Sequence, residues 1–552
     1  MKKLFTLLVA SLCALSVWAE DFSVNGIYYN FLGGDEVEVT YAGAKGSSIK
    51  EYSDTVVVPA TVEHLGNSYQ VTRIGKSAFA SNTNLYVVVL PEGIRSIGER
   101  TFEGCTGLVN VNIPKSVSDV EWDAFIRSGI LNDQTNWEND ILYIDDCLVK
   151  VNTSKADTLN IKEGTRLICY SACNGCKSMK HVTFPNSIVH IGASAFNQCA
   201  NLKSLYLHNG VETIGEYAFA NTSIISVVIP ESVTYIGGYA FNNTSWLTNQ
   251  ANGLVYIHKV LYTYKGSMPA NTSIEVKDGT VAISSYALYQ KNNLTSITLP
   301  KSIRRIGGYA FSECEQLESF HIHDGVTIIE KNCFEWCYAL KTLRLPKTLL
   351  HIEESAIKGC RALGSIVIPD GVLSVGSSAF SGCKALKSVT VPNSVTKLGT
   401  WVFNGCDSLN FVQIGDQVRV VPDYTFCDCK HLTTLVLGSG VETLGAWALQ
   451  RCSGLTELYC KAKEVPALKR DDMFYDVHTD SATLYVPLES LELYQTADQW
   501  KDFYSILPIS ELPTSSPMNQ IIPMPNTQKL LRDGQLIIIC DGVEYSAMGI
   551  KL

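Results

Sequence analysis

Two short motifs contain residue types that could do chemistry. Cys173-x-x-Cys176 has the spacing of a redox pair or of half a zinc site. His321 and His323 are two residues apart, so on a strand they would face the same way, as two ligands of one metal ion do. The sequence contains no nucleophile motif, phosphate-binding glycine loop or His/carboxylate metal signature. What the two motifs mean therefore depends on the elements that position them.

A repeated phrase, I-G-x-x-A-F, organises the chain. It returns almost always after 23 residues, and the unit beginning at Val375 shows the fuller pattern I-G-x-x-A-F-x-x-C-x-x-L-x-x-I-x-I-P-x-x-V-x-x. One unit cannot bury its own apolar face, whereas stacked units share a continuous core. Two gaps of close to two periods are interpreted as hairpin insertions near residues 131–167 and 247–282. The fifteen units begin at Ile74, Ile97, Val120, Ile168, Ile191, Ile214, Ile236, Ile283, Ile306, Ile329, Ile352, Val375, Leu398, Val421 and Leu444.

Each unit divides by its periodicity into two parts. The L-x-x-I-x-I part ends in alternation, so Val389 and Val391 are expected to point into the core and Thr390 outward from a strand. In the A-F-x-x-C part, Phe380 and Cys383 lie three apart, which is typical of one or two helical turns facing inward. We therefore predict an α/β solenoid of 23-residue repeats, with a parallel sheet on the concave face, short helical turns opposite and β-rich caps.

Ten cysteines occupy one slot of the repeat. They are expected to form an inward ladder of thiols, because free cysteine packs as a small buried hydrophobe. Cys176 belongs to this ladder and Cys173 stands where other repeats have Phe, so core packing is favoured over redox or metal chemistry and over an incidental disulfide. Cys427 is interpreted as an added thiol, with its exposure left open. The ladder comprises Cys105, Cys176, Cys199, Cys314, Cys337, Cys360, Cys383, Cys406, Cys429 and Cys452.

The outward strand positions form a column of the kind on which solenoids usually meet ligands. Most of its residues are small or neutral, which leaves two candidate ligand-binding spots, Tyr206 with His208 and His321 with His323 and Arg344. A metal at the second spot is disfavoured, because His208, the nearest third histidine on that face, is about five coils or roughly 24 Å away. A ligand patch and a merely solvated surface remain open.

An aromatic residue precedes A-F in seven units, and these residues form a second column. Rings spaced along a groove could stack on sugars or on protein side chains, since they offer a large area at a low entropic cost. The alternative is that they shield the boundary between core and solvent. The column comprises Tyr217, Tyr239, Tyr286, Tyr309, Trp401, Tyr424 and Trp447.

Composition and the N-terminus indicate an exported protein. The formal net charge of −10 argues against a nucleic-acid partner, which needs a basic face. Residues 1–19 are predicted to be a cleaved signal peptide, with Lys2 and Lys3 before an apolar run and a small-residue site ending at Ala19. No later stretch is long and apolar enough to span a membrane, and we expect no cofactor.

The remaining chain is divided by the limits of the repeats. Residues 20–70 are predicted to form a β-rich N-terminal cap over the exposed edge of the first coil, and residues 71–466 contain the repeats. Residues 467–510 form a C-terminal cap. Residues 511–552 are a linker and a short β-hairpin tail that is a candidate sorting signal.

From about Val71 to Pro466, the repeats resemble the BspA-like leucine-rich repeats of bacterial surface proteins of Bacteroidetes type. The resemblance implies a leucine-rich-repeat solenoid that is secreted or held at the outer cell surface, and we expect a monomer. It also implies a non-enzymatic binding scaffold, an adhesin for host matrix proteins or other cells. The alternative is a glycan-binding accessory protein of a surface nutrient-uptake system. Either way, the expected partner is an extracellular protein or glycan of the host or of neighbouring bacteria.

Overall fold

A computed structural model describes residues 21–42, 52–152 and 157–510, together with the backbone of three strands in the tail. The predicted signal peptide lies outside the described residues. The chain forms short strands and turns stacked coil upon coil around a continuous apolar core, so the predicted solenoid of parallel strands is confirmed. The tail strands, Gln528–Arg532, Gln535–Cys540 and Val543–Ser546, pair in sequence as an antiparallel sheet.

Most coils contribute one strand from the L-x-x-I-x-I part of the repeat. In the strand Thr342–Arg344 the central Leu343 is buried and the two outer residues are exposed, as the alternation predicts. It pairs in parallel with Ser319–His321 of the preceding coil. The strands of this long-strand column are Asp54–Val57, Leu85–Val89, Asn110–Val111, Thr158–Asn160, His181–Thr183, Ser204–Tyr206, Ser226–Val228, Thr272–Glu275, Leu294–Thr298, Ser319–His321, Thr342–Arg344, Ser388–Thr390, Phe411–Gln413, Thr434–Leu437, Glu457–Cys460, Thr483–Val486 and Ser505–Pro508.

The apolar residue that begins each repeat lies in a second column of parallel strands, which the sequence analysis did not anticipate. In His351–Ile352, Ile352 is buried and His351 is only partly covered. Two residues are too few to produce a recognisable alternation in the sequence. The strands of this short-strand column are Ser96–Ile97, Asp119–Val120, Leu167–Ile168, His190–Ile191, Thr213–Ile214, Tyr235–Ile236, Ala282–Ile283, Arg305–Ile306, Ile328–Ile329, His351–Ile352, Ser374–Val375, Lys397–Leu398, Val420–Val421, Thr443–Leu444 and Ala467–Leu468.

The A-F-x-x-C segment, for which one or two helical turns were predicted, forms hydrogen-bonded turns with little helix. The residue before the A-F position has a positive φ in every unit, such as 58° at Ser378. The N–H of Ala379 donates to the carbonyl of Gly376 at 3.2 Å within the coil. The next N–H, of Phe380, donates to the carbonyl of Val402 in the following coil at 3.0 Å. A left-handed residue in each turn prevents a continuous α-helix, and the backbone bonds therefore tie coil to coil.

Phenylalanine and cysteine form two ladders inside the turns. Phe380 and Phe403 stack with ring centroids 5.6 Å apart, and Phe403 and Phe426 at 5.8 Å. The thiol of Cys383 donates to the carbonyl of Ile357 at 3.3 Å. Each fully buried phenylalanine stabilises the fold by about 1.5–3 kcal/mol, so the core gains a similar amount from each coil that has one.

Two antiparallel hairpins interrupt the array, Ile141–Ile144 with Cys147–Val151 and Gly253–Ile257 with Val260–Lys265. In the second, Val260–Lys265 also pairs in parallel with Ala282–Ile283, so the short-strand column continues through the insertion. The first hairpin is extended by the strand Trp137–Glu138. The described α-helices are Gly129–Asn132, Ser245–Thr248 and Leu491–Thr496, and the described 3-10 helices are Gln134–Asn136, Leu488–Ser490 and Trp500–Asp502.

The strands ahead of the first repeat extend the array and touch a later part of it. Glu36–Thr40 pairs in parallel with Asn67–Ile74, which pairs with the first short strand. The turn that follows Phe31 contacts Thr396 and Lys397. A solenoid touches itself on the side toward which it curves, so the short-strand column lies on the inside. The sheet of L-x-x-I-x-I strands, which was predicted on the concave face, lies on another side of the coil. The other strands of this region are Phe22–Val24, Ile27–Gly33 and Thr61–His64.

Candidate ligand-binding surface

The long-strand column presents a row of exposed side chains on a hydrogen-bonded support. Tyr206 and Val228 are opposite each other on paired parallel strands. Their side chains are 69% and 47% exposed, so an aromatic ring and an apolar group project side by side into solvent. Apolar side chains held in place by a sheet can pack against a partner with little loss of conformational entropy.

His208 and His323 stand where most repeats have proline, and both imidazoles bond to the preceding coil. His208 Nε2 contacts the carbonyl oxygen of Pro185, and its Nδ1 is 2.9 Å from the carbonyl oxygen of Asn209. His323 Nε2 lies 3.1 Å from the carbonyl oxygen of Leu299. Both ring nitrogens of His208 thus lie against carbonyl oxygens, of which a neutral imidazole can donate to only one, whereas His323 makes this contact through Nε2.

His321 and Arg344 are opposite each other on paired strands, and they line a shallow pocket of about 360 Å³. The ring of His323 lies 4.5 Å from that of His321, measured between centroids. Lys347 and Asp324 complete the charged part of the lining. Burial lowers the pKa of His321, and the nearby His323 and Arg344 lower it further. Positive charge thus predominates around His321.

The aromatic column consists of two stacked ladders. Tyr286 and Tyr309 stack with centroids 4.6 Å apart and planes 7° from parallel, and Trp401 and Tyr424 at 3.8 Å and 9°. The far end of the second ladder is covered by Arg470, whose guanidinium lies 4.1 Å from the ring centroid of Trp447. Inner rings therefore present edges to solvent, and a broad face remains accessible mainly at the ladder ends. The ladders comprise Tyr217, Tyr239, Tyr286 and Tyr309, and Trp401, Tyr424 and Trp447.

The structure gathers only part of the predicted site. It brings His321, His323 and Arg344 into one pocket, but Tyr206 lies on a different, earlier pair of strands, and His208 follows the end of its strand. Within residues 21–42, 52–152 and 157–510, no group of three or more His, Cys, Asp or Glu side chains is placed to hold a metal ion. None of the helices described above has the length and apolar character needed to cross a membrane.

The cysteines lie in the core. All sixteen described cysteines are free and buried. Cys173 packs in the position that other coils give to Phe, and burial raises its pKa well above the usual value. Cys427 is buried as well, and burial together with the neighbouring Asp428 raises its pKa to about 11. The C-x-x-C spacing thus reflects two positions of a packed coil.

The repeats decide the family. A family model of the BspA type leucine-rich repeat region matches residues 72–148, 143–252, 260–372 and 351–477, in six copies. The chain belongs to the BspA type leucine-rich repeat family. The resemblance seen in the I-G-x-x-A-F phrase is thereby confirmed. The matched region is a repeat, and no catalytic family is indicated.

Several solved leucine-rich repeat proteins are similar to this BspA type chain. A protein from Bacteroides ovatus is 21% identical, with 88% of this chain and 99% of that chain covered and a TM-score of 0.34. A leucine-rich cell surface protein from Faecalibacterium prausnitzii is 17% identical over 89% and 95% of the two chains, with a TM-score of 0.23. The pneumococcal vaccine antigen PcpA is 17% identical over 89% and 98%, with a TM-score of 0.23. Among curated proteins, none matches the chain.

Sequence reasoning missed two charged residues of the pocket in this BspA type solenoid. Asp324 and Lys347 lie in loops, each one residue beyond the proline slot of its coil, and are 23 positions apart. Aligning adjacent coils by slot places them beside His323 and Pro346. The repeat pattern could therefore have identified both residues. They were missed because they lie in loops, and the analysis of outward positions used only the alternation along strands.

Proposed function

We propose that the chain is a non-enzymatic binding scaffold, secreted or held at the outer cell surface, and that it acts as an adhesin for host matrix proteins or other cells. Membership of a repeat family without a catalytic domain supports a scaffold. The observation that carries the proposal is the exposed pair Tyr206 and Val228, 69% and 47% accessible on neighbouring strands. Tyrosine is enriched among the residues that contribute most of the binding energy at the centre of protein interfaces.

The arrangement of the two strand columns supports the choice of face. The inside of the curve is partly occupied by the chain itself, where Gly34 and Thr396 are hydrogen-bonded. The outward residues of the long-strand column lie on a different side of each coil. Tyr206 and Arg344 in its earlier coils are exposed, whereas Val436 and Tyr459 in its later coils are buried. A large partner would therefore reach the long-strand column more readily than the inside.

The test is a binding screen of the purified chain against arrayed extracellular-matrix proteins, repeated at high salt to remove weak electrostatic adsorption. For any ligand that survives salt, Tyr206→Ala combined with Val228→Ser should weaken binding by about tenfold, equivalent to about 1.4 kcal/mol. The matched control is Tyr504→Ala, which removes a 76% exposed tyrosine outside the column. Equal affinities of both variants for the ligand would reject the long-strand face as the binding surface.

A glycan-binding accessory function is the second candidate, and Trp401 is the residue that favours it. Trp401 stands at the start of a ladder with 38% of its surface exposed, so one ring face could stack on a sugar. A glycan array with the parent chain and Trp401→Ala tests this function. Binding lost in the variant would support it, and a silent array would remove it.

A further inference from the structure

We propose that an extended segment of a partner protein, with aliphatic and basic residues, binds at the N-terminal end of the array by adding a strand to Asp54–Val57. This strand is the first of the long-strand column, and within the residues that the structure describes it pairs only with Leu85–Val89. A terminal strand presents unpaired N–H and C=O groups along one edge, onto which an extended peptide can add. The inference goes beyond the proposed function, because it does not depend on Tyr206 or Val228.

The register of the first two strands shows which backbone groups are available. The N–H of Val58 donates to the carbonyl of Val89 in the next coil at 2.9 Å. Successive residues of a strand direct their backbone groups to opposite edges, so the N–H and C=O groups of Thr55 and Val57 point away from the next coil. An incoming strand could therefore donate to these two carbonyl oxygens and accept from the N–H of Val57.

A groove of about 510 Å³ adjoins the free edge. Its lining includes Thr55 and Val57 on one side and residues 24–27, the turn between the first two N-terminal strands, on another. A Cβ built on Gly26 in this turn would meet nothing within 4 Å. The space for an added strand is therefore open without a rearrangement of the coil.

The side chains around the edge indicate the composition of the segment. Val57 is 62% exposed, and Val89, opposite it in register, is 40% exposed, so both can pack against an aliphatic side chain of the incoming strand. Glu63 lines the groove and is exposed, and none of the described lining residues is Lys, Arg or His. Within the described residues, no ion pair or side-chain hydrogen bond engages the Glu63 carboxylate.

The charge of the groove therefore favours a segment with Lys or Arg over an acidic one. An exposed ion pair with Glu63 would contribute little to affinity, but it would select among partners. Most of the affinity would come from the backbone bonds along the edge and from the apolar contact with Val57.

The experiment measures the fluorescence anisotropy of a fluorescein-labelled octapeptide, Lys-Val-Thr-Val-Thr-Val-Thr-Lys, titrated with the purified full chain. Val57→Pro removes the N–H on the free edge and should weaken binding by about tenfold, whereas the bonds to Leu85–Val89 stay intact. The matched control is Val57→Thr, which keeps the N–H and the size of the side chain and should weaken binding less than about threefold. Glu63→Gln should weaken it by about twofold to fivefold. Circular dichroism checks that the variants are folded.

Two further measurements test the backbone contact directly. The same octapeptide with N-methyl groups on its six central amides cannot donate to the edge, so we expect its binding to be lost. Hydrogen exchange of the full chain should be fast at the Val57 amide and should slow when the octapeptide is added. Both results are expected only if the peptide pairs with the strand.

The outcomes separate this inference from the proposed function. Equal affinities of Val57→Pro and Val57→Thr, or full binding of the N-methylated peptide, would overturn strand addition. Slow exchange at Val57 in the free chain would show that the chain itself occupies the edge, and self-association that Val57→Pro abolishes would assign the edge to a second copy; either result would overturn a partner segment. If the octapeptide fails to bind while a matrix protein binds in a Tyr206-dependent manner, the adhesin function stands and the edge site falls. If the matrix screen is silent but the octapeptide binds through Val57, the edge site stands alone.

Discussion

The backbone N–H of Gly34 donates a hydrogen bond to Thr396 Oγ1 at 2.9 Å, although 362 residues separate them in the chain. Beside this bond, Gly33 has a φ of +116°, and a Cβ built on it would lie 2.9 Å from the Cβ of Ser374. Glycine at position 33 thus permits both the turn and the close approach. The N-terminal strands are joined to the inside of the curve at this point.

Gly33→Val is expected to open this contact. The side chain would collide with Ser374 and would also strain a backbone of positive φ, which together should cost about 2–4 kcal/mol. Thermal unfolding should therefore begin at a lower temperature. Small-angle X-ray scattering should show a larger radius of gyration, because the array would no longer be held to its own N-terminal region.

Gly26→Val is the matched control for that substitution. Gly26 also has a positive φ, +77°, but a Cβ added to it would meet nothing within 4 Å. The variant should therefore show only the backbone strain, about 1–2 kcal/mol, and no expansion. An identical radius of gyration for the parent and both variants would show that the Gly34 to Thr396 contact does not hold the curve in solution.

Asp119, in the short-strand column, predicts that the stability of the fold depends on pH. Burial and the nearby Glu121 raise its pKa from 3.8 to about 7, against the opposing effect of Arg73 and Arg305. The folded chain holds this proton more tightly than the unfolded chain, so the contribution to stability is complete below pH 4 and is lost as the pH rises to about 7. Part of the Asp119 surface is nevertheless exposed to solvent, so we expect screening to reduce the effect to about 1 kcal/mol.

Asp119→Asn should therefore raise the melting temperature at pH 8 and leave it nearly unchanged at pH 4, where the parent carboxyl group is already neutral. The control is Asp370→Asn, which removes a carboxylate at a loop position. Melting curves of the three proteins at both pH values provide the measurement. A gain at pH 8 that is the same for both variants would reflect net charge and not the environment of Asp119.

The repeat made the solenoid predictable, and its inward residues were predicted residue by residue. Leu386 and Cys383 are fully buried, in the slots where the pattern places core positions. The turns were harder, because Phe380 and Cys383 at a spacing of three also fit a helix. What decides against a helix is the positive φ at Ser378 and Gly382, and serine gives little sign of such a conformation in a sequence.

The sequence predicts which residues of the candidate site lie close together only when they belong to the same coil or to adjacent coils. His321 and Arg344 occupy the same outward slot in adjacent units, so their proximity follows from the repeat length alone. The contact between Gly34 and Thr396 depends on the small rotation between coils, summed over the array. No local pattern encodes that sum, and the sequence analysis therefore placed the L-x-x-I-x-I sheet on the concave face, where the structure has the short-strand column.

The buried cysteines predict resistance to alkylation. Reaction with iodoacetamide needs an accessible thiolate, and burial raises the pKa of Cys105, Cys314 and Cys383 to about 12. Mass spectrometry of the native chain at pH 8 should find the sixteen described cysteines unmodified. The same treatment in 8 M urea should label them all, which is the control for reagent and time. Rapid labelling of a ladder cysteine in the native chain would contradict the packed core.

The aromatic ladders predict opposite effects of glycine at two positions that share one backbone conformation. Ser378 and Tyr424 both have a φ of 58°, a conformation that costs a residue with a side chain about 1–2 kcal/mol and glycine much less. Ser378→Gly should relieve this strain and raise the free energy of unfolding by up to about 1 kcal/mol.

Tyr424→Gly relieves the same strain but removes a ring stacked 3.8 Å from Trp401 and 4.9 Å from Trp447, measured between centroids. Two aromatic contacts contribute about 1–3 kcal/mol beyond the area that they bury. Against a gain of up to about 1 kcal/mol from the relieved strain, we expect a net loss of up to about 3 kcal/mol, measured by urea unfolding alongside the parent and Ser378→Gly. If both variants are stabilised equally, the ladder adds nothing to the fold, and the cost of holding a tyrosine at a positive φ would have to be explained by ligand binding.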